Sequence, residues 1–360
     1  MSATVVVIGG GYGGVATAKA LDDVADVVLV EPKDAFVHNV AALRGLVDPA
    51  WTDRLFLPYD RLLARGRVVR DRAVLVEAGA VVLGSGQRIA ADYIVLATGS
   101  AYPFPAKYDV DGSADAKVRI GEARGALIEA DRVLLLGAGP VGLELAGEIT
   151  AAWPDKAVTV VDPADDIVGG EYPEALREDL RAQLADMGVD LVLGTSLWED
   201  PPSDPGETKT FTAALRSGGE VTADIWFRCF GVVPNSDYLA GELAGARRAD
   251  GHLEVTAELR LAGHERVFAV GDVTGVPESK KAAAAGRHAE VVAANIRTLI
   301  EGGGELTGYE PVELGVAIPL GPARGASYLP AMGVLDAAET SRLKGADMLS
   351  GRYAEFFGLE

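Results

Sequence analysis

Cysteine is all but missing: the 360 residues hold one, Cys229. One thiol excludes an intramolecular disulfide and any redox centre built on a cysteine pair within the chain. Its place in the apolar run 225–230 marks it as a small buried hydrophobe. Histidine is scarce too. His38, His252, His264 and His288 show no metal-ligand spacing, so no metal site is expected. Basic charge is short: 33 Lys and Arg face 53 Asp and Glu, for a net charge of −20. Neutralising phosphates needs the opposite balance, so nucleic acid is not an expected partner. The acidity itself suits solubility or a salty cytoplasm. No apolar run approaches bilayer length. The first residues lack the basic and apolar regions of a signal peptide, and Ser2 stands where myristoylation would need glycine. A cytoplasmic location is expected.

What the sequence does have is glycine, 44 residues of it, much of it at strand-to-helix turns. Residues 3–8 are a short, β-branched apolar run suited to a buried parallel strand. Gly9, Gly10, Gly11, Tyr12, Gly13 and Gly14 follow at once and fit G-x-G-x-x-G. Helical spacing then carries Val15, Ala18 and Leu21, and a second strand at 27–30 ends in Glu31. Each part has a physical task in holding a dinucleotide. Gly9 permits the tight turn, Gly11 lets the backbone approach a pyrophosphate, and Gly14 lets helix and strand pack closely. The helix start offers free N–H groups and a positive dipole end to the phosphates. Glu31 stands about 20 residues past the first glycine, where an acid can accept ribose hydroxyls.

The unit repeats near mid-chain. Residues 132–136 form the strand, and Gly137, Ala138, Gly139, Pro140, Val141 and Gly142 the turn. Residues 143–150 continue as helix, and the strand at 158–161 ends in Asp162. One such turn is a weak signal. Two complete strand–turn–helix–strand–acid units are strong, because local pattern and context agree twice. A carboxylate at Asp162 favours the free 2′-hydroxyl of NADH over the 2′-phosphate of NADPH. The fold class expected is α/β, with two nested dinucleotide-binding domains and a small C-terminal α+β segment.

Three more strand-to-turn segments stand in order: 93–96 before Ala97, Thr98 and Gly99; 225–230 before Gly231, Pro234 and Asn235; and 267–270 before Gly271 and Asp272. With these the chain resembles the two-dinucleotide-domain flavoprotein reductases. The resemblance implies that the first fingerprint and the Gly271-Asp272 motif serve tightly held FAD, with Asp272 on the ribityl chain. It assigns the middle fingerprint to NAD(P)H, and Thr98, Gly99 and Gly231 join the candidate nucleotide contacts. The implied domains are 1–108 and 236–304 for FAD, 109–235 for NAD(P)H, and 305–360 as an acceptor or interface segment.

Disulfide reductases of this kind carry a cysteine pair shortly after the first acidic strand end. Residues 31–44 contain none, so electrons must leave the flavin directly, to a quinone, another small oxidant, oxygen or a protein carrier. The same stretch, His38-Asn39-Val40-Ala41-Ala42-Leu43-Arg44, resembles the ferroptosis suppressor protein (mitochondria-associated apoptosis-inducing-factor homologue) family. So do Ala97-Thr98-Gly99-Ser100 with Pro103-Phe104-Pro105, and Ala285-Gly286 with His288-Ala289. That family is related to type II NADH dehydrogenases, and its members are FAD-holding NAD(P)H:quinone oxidoreductases. The resemblance implies that Arg44 and Lys107 lie against FAD and that Glu144 stands near the flavin–nicotinamide junction. Glu144 would order the nicotinamide carboxamide or relay a proton. Lys280, with Lys281 beside it, would offset charge on reduced flavin, and His38 would donate to flavin or quinone. Val273 departs from the cysteine that members often carry after Gly-Asp, and Ser2 from the myristoylated glycine of the animal members.

Residues 313–320 look like a strand, 321–325 a turn, and 336–357 a helix with Leu343, Ala346, Leu349, Tyr353 and Phe356 near one face. In relatives this region helps form a quinone pocket, a dimer contact or a membrane surface; packing on its own core is the plain alternative. Its polar face mixes Arg342, Lys344 and Arg352 with acids, a poor match to a polybasic membrane helix. Weak or no membrane attachment is expected, at most peripheral at the inner face of the membrane, and a homodimer is left open. The reaction expected is hydride transfer from NADH to FAD and then electron transfer to a quinone or similar small acceptor. Two alternatives stand beside it: an NADH-responsive redox-sensing flavoprotein with slow turnover, and a soluble ferredoxin or rubredoxin reductase.

Overall fold

Strand Thr4–Ile8 shows how the first half is assembled. Val5 and Val7 point to one face of its sheet and Val6 and Ile8 to the other, the period of two that a strand imposes. All four are buried, so the strand is apolar throughout. A computed structural model describes residues 2–312 and 315–359. In it this strand is central to a parallel five-stranded sheet, in the order Val267–Ala269, Tyr93–Leu96, Thr4–Ile8, Asp26–Val30, Arg67–Val69. Helices Tyr12–Leu21 and Ala282–Ile300 pack together, and both contribute to the core behind Val5 and Val7. Behind Val6 and Ile8 lies a three-stranded antiparallel sheet, Ala73–Glu77, Ala80–Leu83 and Arg88–Ala90.

A second parallel sheet, in the order Val189–Val192, Ala157–Val161, Arg132–Leu136, Ile225–Arg228, repeats the logic. Val133 and Leu135 join the large core with helix Pro140–Ala152, while Leu134 and Leu136 pack on the hairpin Phe211–Ala214 and Glu220–Ala223. The first sheet takes strands from both sides of the second in sequence, so the second is inserted within it. The two are linked by a short antiparallel pair, Ser100–Ala101 with Val233–Pro234.

The strands expected at 93–96 and 132–136 are reproduced, and the others shift by a residue or two. The run expected as strand over 225–230 ends at Arg228, because Gly231 at φ +104 turns the chain away. The C-terminal segment holds three antiparallel strands, Val316–Leu320, Arg324–Leu329 and Gly333–Leu335. Glu313 and Leu314, counted in the expected strand 313–320, lie outside the described residues. Val316, Ile318 and Leu320 join the core of the second sheet rather than a core of their own. Gly147 makes the contact close, since a methyl group there would meet the backbone of Leu320.

The single helix expected over 336–357 is corrected. It divides into an α-turn Ala337–Thr340, a π-turn Ser341–Gly345 and a helix Ser350–Phe356. Met348 and Leu349 take left-handed conformations at φ 51 and 62, which stop one helix and re-aim the next. The expected apolar face breaks with it: Leu343 and Ala346 are exposed, while Met348 and Phe357 are buried.

Candidate active site

Parallel strands in register deliver their following loops to one edge. Ile8, Leu96 and Ala269 stand level across the first sheet. The loops they release are Gly9–Gly11, Ala97–Gly99 and Val270–Asp272. Gly9 turns at φ +103 against the Ala97 carbonyl, and a methyl group on Gly14 would drive into the Gly9 carbonyl oxygen. Gly10 is hemmed in by Tyr59 and Glu31, and Gly13 by Val270. Gly11 alone of the five faces open space. Helix Tyr12–Leu21 begins there with no side chain capping it. Its first N–H groups have no intrahelical partner, so they are available to a pyrophosphate.

The second fingerprint has the same geometry. Gly137 turns at φ +117 against Cys229, Gly142 packs on the Gly137 carbonyl, and Gly139 faces open space. Helix Pro140–Ala152 also starts uncapped, with Pro140 in its first turn and Val141 partly exposed. The acids behave alike. Glu31 accepts from the N–H groups of Gly10 and Lys33 at 2.6 and 2.9 Å. Asp162 accepts from those of Ala138 and Ala164 at 2.6 and 2.8 Å. Each carboxylate thus braces the glycine turn beside it. Burial pushes Glu31 above the usual carboxylate range, against the pull of its two N–H donors.

Asp272 lies at the third loop with Ser100 and Lys107. Ser100 donates its hydroxyl to Asp272 Oδ2 at 2.6 Å. Lys107 Nζ reaches the Ser100 carbonyl at 2.8 Å, the Ser100 hydroxyl at 2.9 Å and Asp272 Oδ2 at 3.3 Å. Thr98 donates to the Asn235 carbonyl at 2.6 Å, and the Asn235 N–H returns to the Gly99 carbonyl at 3.0 Å. That exchange ties the Thr98–Gly99 turn to the loop that carries Gly231.

These two open glycine turns, on uncapped helices, with an acid at each following strand end, decide the family. A family model described as pyridine nucleotide-disulphide oxidoreductase matches residues 3–289. Ferroptosis suppressor protein 1 of Taeniopygia guttata is 32% identical over 89% of this chain and 87% of its own. The chain belongs to this family. Apoptosis-inducing factor homolog B of Dictyostelium discoideum is 26% identical over 97% of this chain and 95% of its own. Among solved structures, an NAD-dependent persulfide reductase from A. fulgidus superposes with a TM-score of 0.67 at 22% identity, covering 85% of this chain and 60% of that one. The family is one of flavoprotein oxidoreductases that use FAD and a pyridine nucleotide. Its disulphide is absent here: Cys229 is buried under the second glycine turn, and burial pushes its thiol up to about 12.

The residues present fit a dinucleotide at each of the two turns, as FAD and a pyridine nucleotide require. Gly11 and Gly139 leave the clearance that a backbone-to-phosphate approach needs, and the helix starts carry unused donors.

Four expected site residues are engaged by the protein itself, His38 and Arg44 buried and Tyr12 and Lys280 partly so. The Tyr12 ring is enclosed by Phe36, His38 and Tyr353, and its hydroxyl lies 3.1 Å from His38 Nδ1. Fully buried His38 places Nε2 2.7 Å from the Met348 carbonyl, so both ring nitrogens are engaged. Arg44 is bidentate to Glu148 at 2.7 Å through Nε and Nη2, and its Nη1 donates to the Gly345 carbonyl at 2.9 Å. Lys280 donates to the carbonyls of its own loop, Thr274 at 2.8 Å and Val276 at 2.7 Å, and Lys281 to Tyr172 Oη and the Gly315 carbonyl.

Glu144 is met by Lys344, which the sequence pattern put on the polar face of the C-terminal helix and not in the site. Lys344 Nζ donates to Glu144 Oε1 at 2.7 Å. Burial pushes both Glu144 and Glu148 above the usual carboxylate range, while Lys344 and Arg44 pull them back. Glu148 was legible as the i+4 neighbour of Glu144 on one helix face. Ser100 adjoins the Thr98–Gly99 turn. Nothing in the local pattern paired Lys344 with Glu144.

Proposed function

We propose that the chain oxidises NADH through bound FAD and passes the electrons directly to a quinone or similar small acceptor. Bound FAD supplies the redox chemistry, taking up hydride and releasing electrons. The protein's part is to hold two nucleotides in contact geometry. The observation that carries the reading is the paired set of open glycine turns on uncapped helices, in a chain whose only thiol is buried. Without a cysteine pair no protein disulfide takes the electrons, which leaves a diffusing acceptor.

In this reading the first fingerprint, Glu31, Thr98, Gly99, Lys107 and Asp272 bind FAD. The second fingerprint, Asp162 and Gly231 bind the pyridine nucleotide. Asp162 selects NADH, because a 2′-phosphate would be repelled by it. Glu144, held beside Lys344, orders the nicotinamide carboxamide and keeps a proton within reach. Arg44, His38 and Lys280 act through the elements they fasten, Arg44 and His38 by clamping the C-terminal turn 345–348. The acidic surface accords with a small acceptor over nucleic acid and over an acidic electron-carrier protein. Weak or no membrane attachment belongs to the same proposal; among the described residues no helix is long and apolar enough to cross a membrane.

Anaerobic stopped-flow mixing of the yellow protein with NADH, followed by a panel of acceptors, tests the reading. Rapid bleaching and rapid reoxidation by soluble quinones are expected. Reduction that is not followed by turnover with any small acceptor would overturn it.

A further inference from the structure

The mechanism leaves one buried charged cluster unused. His288 lies on helix Ala282–Ile300 with 1% of its side chain exposed, and Glu278 precedes that helix with 4% exposed. His288 Nδ1 accepts the backbone N–H of Gly271 at 3.0 Å. That nitrogen therefore presents a lone pair, and the ring proton resides on Nε2. Nε2 stands 2.7 Å from Glu278 Oε1, too oblique for a hydrogen bond, and neither atom has a hydrogen-bond partner. Tyr309 donates its hydroxyl to Glu278 Oε2 at 2.7 Å, and its ring meets the imidazole edge-on with centroids 4.4 Å apart. Glu278 is thereby fixed from one side by Tyr309 and faces the histidine proton on the other.

Gly271 is the residue before Asp272. It sits at φ +74, with its carbonyl accepting from the N–H and hydroxyl of Thr274 at 3.0 and 2.9 Å. The turn is thus pinned through its carbonyl by Thr274 and through its N–H by His288. Asp272 leaves this turn toward Ser100 and Lys107.

We propose that His288, its tautomer set by the Gly271 N–H with Glu278 facing the opposite nitrogen, is a positioning residue that locks the Gly271 turn and so aims the Asp272 carboxylate toward FAD. The inference rests on the reading of Asp272 as an FAD contact. His288 touches neither nucleotide; it acts through one backbone hydrogen bond. A neutral ring is required, because a doubly protonated imidazole has no acceptor for Gly271. Burial keeps the imidazole below its ordinary range, with Lys280 and Arg287 adding to that and Glu278 opposing.

The test uses the holoprotein and the apoprotein made from it. FAD dissociation constants are read from flavin fluorescence for wild type, His288→Leu, His288→Asn and Asp272→Asn, with urea midpoints of each apoprotein alongside. His288→Leu strands the Gly271 N–H, and FAD should bind about tenfold more weakly. His288→Asn places an amide oxygen near the Nδ1 position and should restore most of that affinity. In wild type, nitrogen-15 shifts of His288 should show a bare Nδ1 and a protonated Nε2, and amide exchange at Gly271 should speed up in His288→Leu but not in His288→Asn. A folded His288→Leu that binds FAD as wild type does, while Asp272→Asn weakens binding, sinks this inference alone. Unchanged FAD binding in Asp272→Asn removes the reading of Asp272, and the inference falls with it. A proton found on Nδ1 overturns the tautomer assignment and the proposal together.

Discussion

Lys344 closes on Glu144 across 200 residues of chain, ammonium to carboxylate at 2.7 Å. The contact fastens the C-terminal segment to the helix of the second fingerprint. Arg44 and Glu148 lie beside it, so two acids and two bases share one buried region. Removing either base leaves an acid that water cannot solvate.

Glu144→Gln keeps the shape and removes the charge. Flavin reduction by NADH should slow by about tenfold or more, since a lost orienting or proton-relay group in an active site costs at least that. Stopped-flow bleaching of the flavin measures it, and an unchanged rate would remove Glu144 from the chemistry.

Arg44→Met should cost about 3–5 kcal/mol of stability, because Glu148 is left buried and unpaired. Urea unfolding of the double variant Arg44→Met/Glu148→Leu should recover most of that loss. If the double variant is as unstable as the single one, the guanidinium matters for its bond to Gly345 and not for its pairing.

Two glycines separate binding from folding. Gly11→Ala meets no atom in the protein, so the apoprotein should keep its stability within about 0.5 kcal/mol while FAD affinity collapses. Gly14→Ala drives a methyl group into the Gly9 carbonyl and should destabilise the apoprotein itself by about 1–3 kcal/mol. Equal effects of the two on apoprotein stability would contradict the placement of the cradle.

Asp162→Asn should raise kcat/KM for NADPH relative to NADH, by about tenfold or more if the carboxylate is what repels the 2′-phosphate. Wild type preferring NADPH would overturn the assignment directly.

Burial lowers the His38 imidazole below its ordinary 6.5, against the pull of the Met348 carbonyl. The unfolded chain therefore binds a proton there that the folded chain refuses. Stability from this group is present above about pH 6.5 and is lost as pH falls from there toward the folded value, by at most about 1.4 kcal/mol per pH unit. His38→Gln does not titrate. Between about pH 7.5 and 5.5 its urea midpoint should fall less than that of wild type, and parallel curves would assign the pH dependence to other groups.

Local pattern carried much of this protein. Each fingerprint is a continuous stretch, and the physics that shapes it acts between near neighbours: a positive φ at Gly9 and Gly137, a tight approach at Gly14 and Gly142, an acid at the next strand end. The single helix expected at the C-terminus failed because Met348 and Leu349 are held left-handed by contacts outside their own turn, among them the Met348 carbonyl on His38. No periodicity encodes that.

The sequence alone determined that two dinucleotide turns exist and that no thiol pair stands between them, because both are matters of contiguous residues and of count. Only the tertiary structure decided which charges meet: Lys344 with Glu144, Arg44 with Glu148, His288 with Gly271. Those partners are far apart along the chain, and their pairing follows from how sheets and helices stack, which is settled by packing the whole core at once.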